Sequence, residues 1–271
     1  MNGPLGIADK DAPKALLGLV LHRHLTGDAE PVRVQVSSPW DVWWACYRAG
    51  LPFSGLGVEP VMPYGACRGC IADALECASA VPPRHPDELG ERPCGCLRLW
   101  AVRMRSGPET TGWPRFALTV ALIKPDAPAE LITDRLSAGH EVLGAWARTL
   151  TAADTRRMYP EAYGEDYIAA VDAYLTSGPS RVMLLRSHDP GTTADIKTRI
   201  RDEIGNDRLR NHLHMPDNPG EALADLAHLV GWGLLQEFHE GADDAANACL
   251  AFYRAALGVR DTDADGVAAS R

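Results

Sequence analysis

FALTVALIKPDA, residues 116–127, is the strongest strand signal in the chain, a run of apolar and β-branched residues stopped by Pro125 and Asp126. The residues after it keep changing period. AELITDRLSAG reads as a helix, HEVLGAWARTL as a strand, and TAADTRRMY as a helix capped by Thr151 with Asp154 three positions on. EDYIAAVDAYLTSG then reads as a helix closed by Gly178, PSRVMLLRS as a strand, and ADIKTRIRDEIG as a helix stopped at Gly205. Strands alternating with helices predict an α/β or α+β unit in which helices cover a small sheet.

Upstream, SGPETTGWPR, residues 106–115, has the composition of a linker and sets the expected boundary with a first domain. In that domain APKALLGLVLHRHL has helical spacing, PVRVQVSS alternates like a strand, and WDVWWACYRAG is a helix with an aromatic face ended by Gly50. The segment from Leu51 to Arg92 is rich in Pro, Gly and Cys, with one short helix at CIADALECASA, and CLRLWAVRMR reads as a strand. Downstream, ALADLAHLVGWGLLQEFHEG and DDAANACLAFYRAALG predict two amphipathic helices before a polar tail expected to be disordered. The expected organisation is 1–110, a smaller Cys-rich, zinc-binding α+β domain; 111–230, the sheet domain; 231–258, a helical extension; and 259–271, the tail.

With 271 residues, 46% hydrophobic and 23% charged, the chain has room for two ordinary cores. A net charge of −9 argues against a nucleic-acid or anionic-membrane binder, since both need a basic face. No apolar run reaches the roughly 20 residues of a membrane span, and MNGPLGIADKDAPK lacks the features of a signal peptide, which predicts a cytoplasmic protein.

Seven cysteines in a reducing compartment need another explanation than disulfides. Cys67 and Cys70 form C-x-x-C, and Cys94 and Cys96 form C-x-C. Two close pairs of thiolates suit tetrahedral Zn²⁺, which would hold a loop-rich segment that has little else to fix it. Buried free thiols and an iron-sulfur cluster are the other readings. Cys46 and Cys249 lie on apolar helix faces and read as core, as does the stripe of Trp40, Trp43 and Trp44.

RNHLHMPDNPGEA, residues 210–222, places His212 and His214 two apart. In an extended segment both imidazoles would share one face, and two adjacent histidines need two sets of polar partners.

The order IKPD, then YLTSGPS, then RN-x-x-H-x-x-D resembles that of nucleoside diphosphate kinases over residues 116–230 or so. The resemblance implies a ferredoxin-like antiparallel sheet with helices on one face, and transfer of a nucleoside triphosphate's γ-phosphate through a phosphohistidine. On that reading His214 is the nucleophile, Lys124 belongs to the KPD motif, and Asn211 and Asp217 flank the histidine as in the family. Asp225 stands where a glutamate orients the histidine. Tyr159 matches a tyrosine near the nucleophile, and Tyr167 an aromatic that stacks on the base. Arg201 matches one of two phosphate-contacting arginines, with Arg199, Arg208 or Arg210 as the source of the second. Mg²⁺ is implied on the nucleotide.

The departures are specific. Ala127 replaces a glycine after KPD, Met215 and Pro216 replace a glycine and a serine after the histidine, and the loop before Arg208 is about a dozen residues short. That loop forms a trimer contact and supplies a threonine in the family, so a monomer or homodimer is expected in place of a hexamer, with weak or absent diphosphate kinase turnover. A degenerate domain that binds nucleotide as a regulatory module, or uses the pocket for another reaction, is the alternative.

Overall fold

The computed structural model describes residues 9–259 apart from 29, 91–93, 107–111, 116, 163, 189–192 and 240–244. The expected tail from 260 onward, and much of the expected linker, lie outside the described residues.

The first part is helical. Helix α1 (Ala12–Thr26) begins with Pro13 in its first turn and ends at Gly27 in the left-handed region. It is followed by β1 (Val32–Gln35), α2 (Pro39–Ala49), β2 (Val58–Val61), α3 (Arg68–Ser79) and α4 (Cys96–Arg105). Strands β1 and β2 pair in parallel as a two-stranded sheet. Ser38 caps α2 in a capping box with Asp41, whose other carboxylate oxygen accepts the Trp100 indole N–H at 2.6 Å. Trp40, Trp43, Trp44 and Trp100 are buried in one core with α1, α3 and α4. CLRLWAVRMR is therefore a helix and not the strand expected from its sequence. Leu97, Trp100, Ala101 and Met104 stand at i, i+3, i+4 and i+7, the spacing of one helical face, and are the four residues it buries.

The second part runs β3 (Leu118–Ile123), α5 (Ala129–Ser137), β4 (His140–Arg148), α6 (Ala152–Met158), α7 (Ile168–Leu175), β5 (Ser180–Ser187), α8 (Thr193–Ile204) and β6 (Leu213–His214). The strands form one antiparallel sheet in the order β4-β5-β3-β6. With one helix crossing after β3 and another after β5, this is the split βαβ arrangement of ferredoxin-like domains. Both faces are covered, where helices on one face were expected. Leu118, Val120, Leu122, Val182 and Leu184 face α6, α7 and the chain after 225. Ala121, Ile123, Met183 and Leu185 face α5 and α8. The two-residue alternation of β3 and β5 divides their side chains between two apolar layers, so these strands read as continuous apolar runs.

Helix α9 (Pro219–Asp225), capped by Asn218, runs into a π-helical turn at Leu226–Val230. Gly231 then breaks the chain before α10 (Trp232–Phe238), so the single helix expected here is three pieces. A side chain at Gly220 would lie 2.4 Å from the Lys14 carbonyl oxygen, so its absence lets α9 lie directly on α1. The last helix, α11 (Ala246–Ala256), returns to the first core, where Cys249 and Tyr253 are buried. Among the described residues no helix is long and apolar enough to cross a membrane.

Candidate active site

A cavity of about 680 Å³ opens between the two parts. Lys14, Trp44, Arg48 and Met104 line it from the helical part, and Lys124, Tyr159, Arg201, Asn211 and His214 from the sheet part. A pocket of this size falls in the range of small-molecule and cofactor sites.

His214, on the short edge strand β6, is held at both ring nitrogens. Nε2 lies 2.8 Å from Asp225 Oδ2, and Nδ1 lies 3.1 Å from the Tyr159 hydroxyl. A fully buried carboxylate beside Nε2 assigns the proton to that nitrogen, which leaves Nδ1 as a lone pair accepting from Tyr159. Burial holds the imidazole below its ordinary 6.5, although Asp225 works against this, so the ring is neutral at neutral pH. Burial pushes Asp225 upward, but Arg48 and His214 outweigh it and bring the carboxyl down to about 2. Sequence reasoning missed Arg48. Its guanidinium lies 3.1 Å from Asp225 Oδ1 and donates to the carbonyls of Arg157 and Met158 at 3.2 and 2.9 Å. The available signal was an arginine in the last turn of a helix that is apolar and aromatic apart from Asp41 in its capping box.

The remaining predicted residues divide. Lys124 donates to Asn211 Oδ1 at 2.7 Å and to the Leu209 carbonyl at 3.2 Å, with the Tyr174 ring 5.4 Å from its ammonium. Burial, reinforced by Arg201, lowers it to about 8. Arg201 donates from Nε to the Leu213 carbonyl at 2.8 Å and lines the cavity with Arg208. Arg199 is exposed and does not line the cavity, because it lies on the outer side of α8; of the arginines considered for a second phosphate contact, Arg208 stands at the cavity. Tyr167 is half exposed at the cavity, immediately before α7. Asp217 also lines it, paired with Lys197.

His212 does not share the face of His214. It sits just before β6 with φ of 61°, and its ring turns to Asp126 at 3.3 Å and to the Tyr174 hydroxyl at 3.5 Å. Two-residue alternation holds only in extended backbone, and a left-handed residue breaks it.

The four cysteines do come together. The sulfurs of Cys67, Cys70, Cys94 and Cys96 all lie within 4.8 Å of one another, so the group could hold a metal ion. Both pairs sit at helix starts: Cys67 precedes α3 and Cys70 is in its first turn, while Cys94 and Cys96 lead into α4. Tetrahedral Zn²⁺ with bonds of about 2.3 Å sets its sulfurs about 3.8 Å apart. The Cys67–Cys94 and Cys94–Cys96 separations are 3.8 and 3.5 Å. Cys46, Cys77 and Cys249 are buried and stand apart from this group.

The sheet order and pairing make residues 118–214 a ferredoxin-like α+β unit, with the cavity at the end where β3 and β6 deliver Lys124 and His214. No family model matches the sequence. A nucleoside diphosphate kinase of Cutibacterium acnes (strain DSM 16379 / KPA171202) is 30% identical over 115 residues, which take in 36% of this chain and 83% of that protein. Through that stretch the chain belongs to the nucleoside diphosphate kinase family. A thioredoxin domain-containing protein 3 homolog of Heliocidaris crassispina is 28% identical over 149 residues, 46% of this chain. The chain spans only 18% of the length of that relative. The Aquifex aeolicus nucleoside diphosphate kinase structure aligns with a TM-score of 0.35 at 16% identity, over 42% of this chain and 94% of that one.

Proposed function

We propose that the chain is a phosphotransferase that moves the γ-phosphoryl group of a nucleoside triphosphate to Nδ1 of His214, and from there to a nucleoside diphosphate or a related phosphorylated acceptor. The observation that carries this reading is the neutral imidazole fixed between Asp225 and Tyr159 at the wall of a nucleotide-sized cavity. With Nε2–H donated to Asp225, the Nδ1 lone pair forms the N–P bond while the bond from γ-phosphorus to the bridging oxygen breaks. The diphosphate leaves with that electron pair. The imidazolium charge created at the ring is met by Asp225, and Lys124, Arg201 and Arg208 face the phosphate charge. Tyr159 must turn its hydroxyl hydrogen away from Nδ1 for attack. Tyr167 offers a face to the base, and such stacking tolerates different bases. Mg²⁺ would arrive with the nucleotide and neutralise its phosphates.

For the first part we propose a structural zinc on Cys67, Cys70, Cys94 and Cys96. A redox role for the C-x-x-C pair, which the name of the Heliocidaris relative brings to mind, is less well supported, because four mutually close thiols suit a metal better than an isolated dithiol. Nucleotide binding without turnover is the second reading, favoured by the engagement of Nδ1 with Tyr159.

Incubation with γ-labelled ATP and magnesium tests the proposal. An acid-labile, base-stable phosphoprotein that disappears in His214→Ala is the expected result. Nucleotide binding without label under any magnesium condition would favour the second reading.

A further inference from the structure

Resting on the reading of His214 as the nucleophile, we infer that Arg48, contributed by the helical part, is a positioning residue that fixes both partners of the His214 ring. On one side its guanidinium reaches Asp225 Oδ1 at 3.1 Å, leaving Oδ2 to face His214 Nε2. On the other it donates to the carbonyls of Arg157 and Met158, the last two residues of α6. Tyr159 is the next residue, and its hydroxyl meets Nδ1. A single planar fork therefore ties α6 to α9 across the imidazole. A guanidinium does both from two separate nitrogens, whereas an ammonium presents its donors from a single point. Arg48 is itself fixed: it is buried, the Trp44 ring lies 5.7 Å from it, and its carbonyl oxygen accepts from Arg157 Nε at 3.3 Å.

Arg48 lines the cavity, but its ion pair and hydrogen bonds go to Asp225 and to the end of α6 and not to the His214 ring, so its effect passes through Asp225 and Tyr159. The ionisable groups bearing on Asp225 are Arg48 from α2, His214 from β6, His228 from the π-helical turn, Glu221 from its own helix and Tyr159 after α6. Arg48 is the foremost of those that hold it ionised. Without Arg48, the Asp225–His214 pair takes up a proton at higher pH, and a protonated pair has no attacking lone pair.

The test uses the full chain and two variants, with two readouts. Arg48→Met is expected to move the acid limb of the phosphohistidine-formation profile upward by a pH unit or more. In the unphosphorylated protein, ¹⁵N-histidine NMR should show His214 losing its single Nε2–H tautomer or titrating at higher pH. Arg48→Lys keeps the charge but not the fork, so its acid limb should stay near the native one while labelling slows by about tenfold, roughly 1.4 kcal/mol of barrier. A folded Arg48→Met protein with the native acid limb and native His214 signals would overturn the inference. If Arg48→Met fails to fold, Arg48→Lys decides: native labelling rates overturn the inference, and slowed labelling on an unmoved acid limb supports it. Should the wild type take no label, the phosphotransfer proposal fails, and the NMR arm alone decides the role of Arg48.

Discussion

The two walls of the cavity carry similar cations to different ends. On the helical wall each cation is matched: Lys14 lies 3.3 Å from Glu221, and Arg48 3.1 Å from Asp225. On the sheet wall, among the described residues, Lys124, Arg201 and Arg208 have no carboxylate at ion-pair distance; Lys124 and Arg201 hold on to an amide and to backbone carbonyls instead. A buried charge without a counter-ion costs free energy that a bound anion relieves, and the lowered value of Lys124 reports that cost. The helical wall is neutralised, while the sheet wall pairs Lys197 with Asp217 and leaves three cations that would suit the proposed phosphate. The difference assigns building to one half and binding to the other.

Stripping a metal bound at the thiol cluster of the helical part should do most damage. Structural zinc contributes about 10–16 kcal/mol of apparent binding energy in small zinc domains, and here α3 and α4 both start at the thiol cluster. One zinc per chain is expected from protein purified without added metal, and chelation should expose the four thiols and abolish nucleotide binding with them. Four freely titratable thiols in the folded, metal-free protein would separate the walls.

Asp225→Ala comes next, because it strands a buried guanidinium; a loss of about 3–5 kcal/mol is expected from denaturant unfolding. The carboxyl of Asp225 is held below the ordinary 3.8, so its stabilisation is full above that value and is lost as pH falls toward about 2. Lys124→Met should invert the pattern on the sheet wall, with nucleotide affinity falling while stability is unchanged or higher. In the wild type the charge that attracts phosphate is present below about pH 8 and lost above it. Because the folded value lies below the unfolded one, stability gains as pH rises past that point. A variant that loses stability with its affinity would show Lys124 to be paired in a way its contacts do not indicate. Tyr167→Ala should weaken nucleotide binding by about 1–3 kcal/mol whatever the base, as measured by calorimetry. Tyr159→Phe should cost stability least, about 1 kcal/mol for one neutral hydrogen bond.

The same division decides what could be read in advance. Strands β3, β4 and β5 were legible because their apolar runs are continuous in sequence. Lys124, Asn211 and His214 were legible because IKPD and RN-x-x-H-x-x-D resemble motifs of a known family, and the structure brings these three to one cavity. Arg48 was not, since its meaning lies in a carboxylate far along the chain, and α1 and α2 align with α9 only through tertiary packing. His212 was misplaced because no pattern announces a left-handed residue outside glycine. CLRLWAVRMR was misread because a ten-residue segment with scattered apolar positions fits either period until its burial is known.

The most direct measurement is the chemical position of the phosphate on the ring. Protein labelled with ¹⁵N-histidine and incubated with MgATP, observed by ³¹P and ¹⁵N NMR, should carry phosphorus on Nδ1 of His214, with Nε2 still protonated toward Asp225. Phosphate on Nε2, on another residue, or on none while nucleotide is bound would contradict the division between a wall that holds the imidazole and a wall that receives the phosphate.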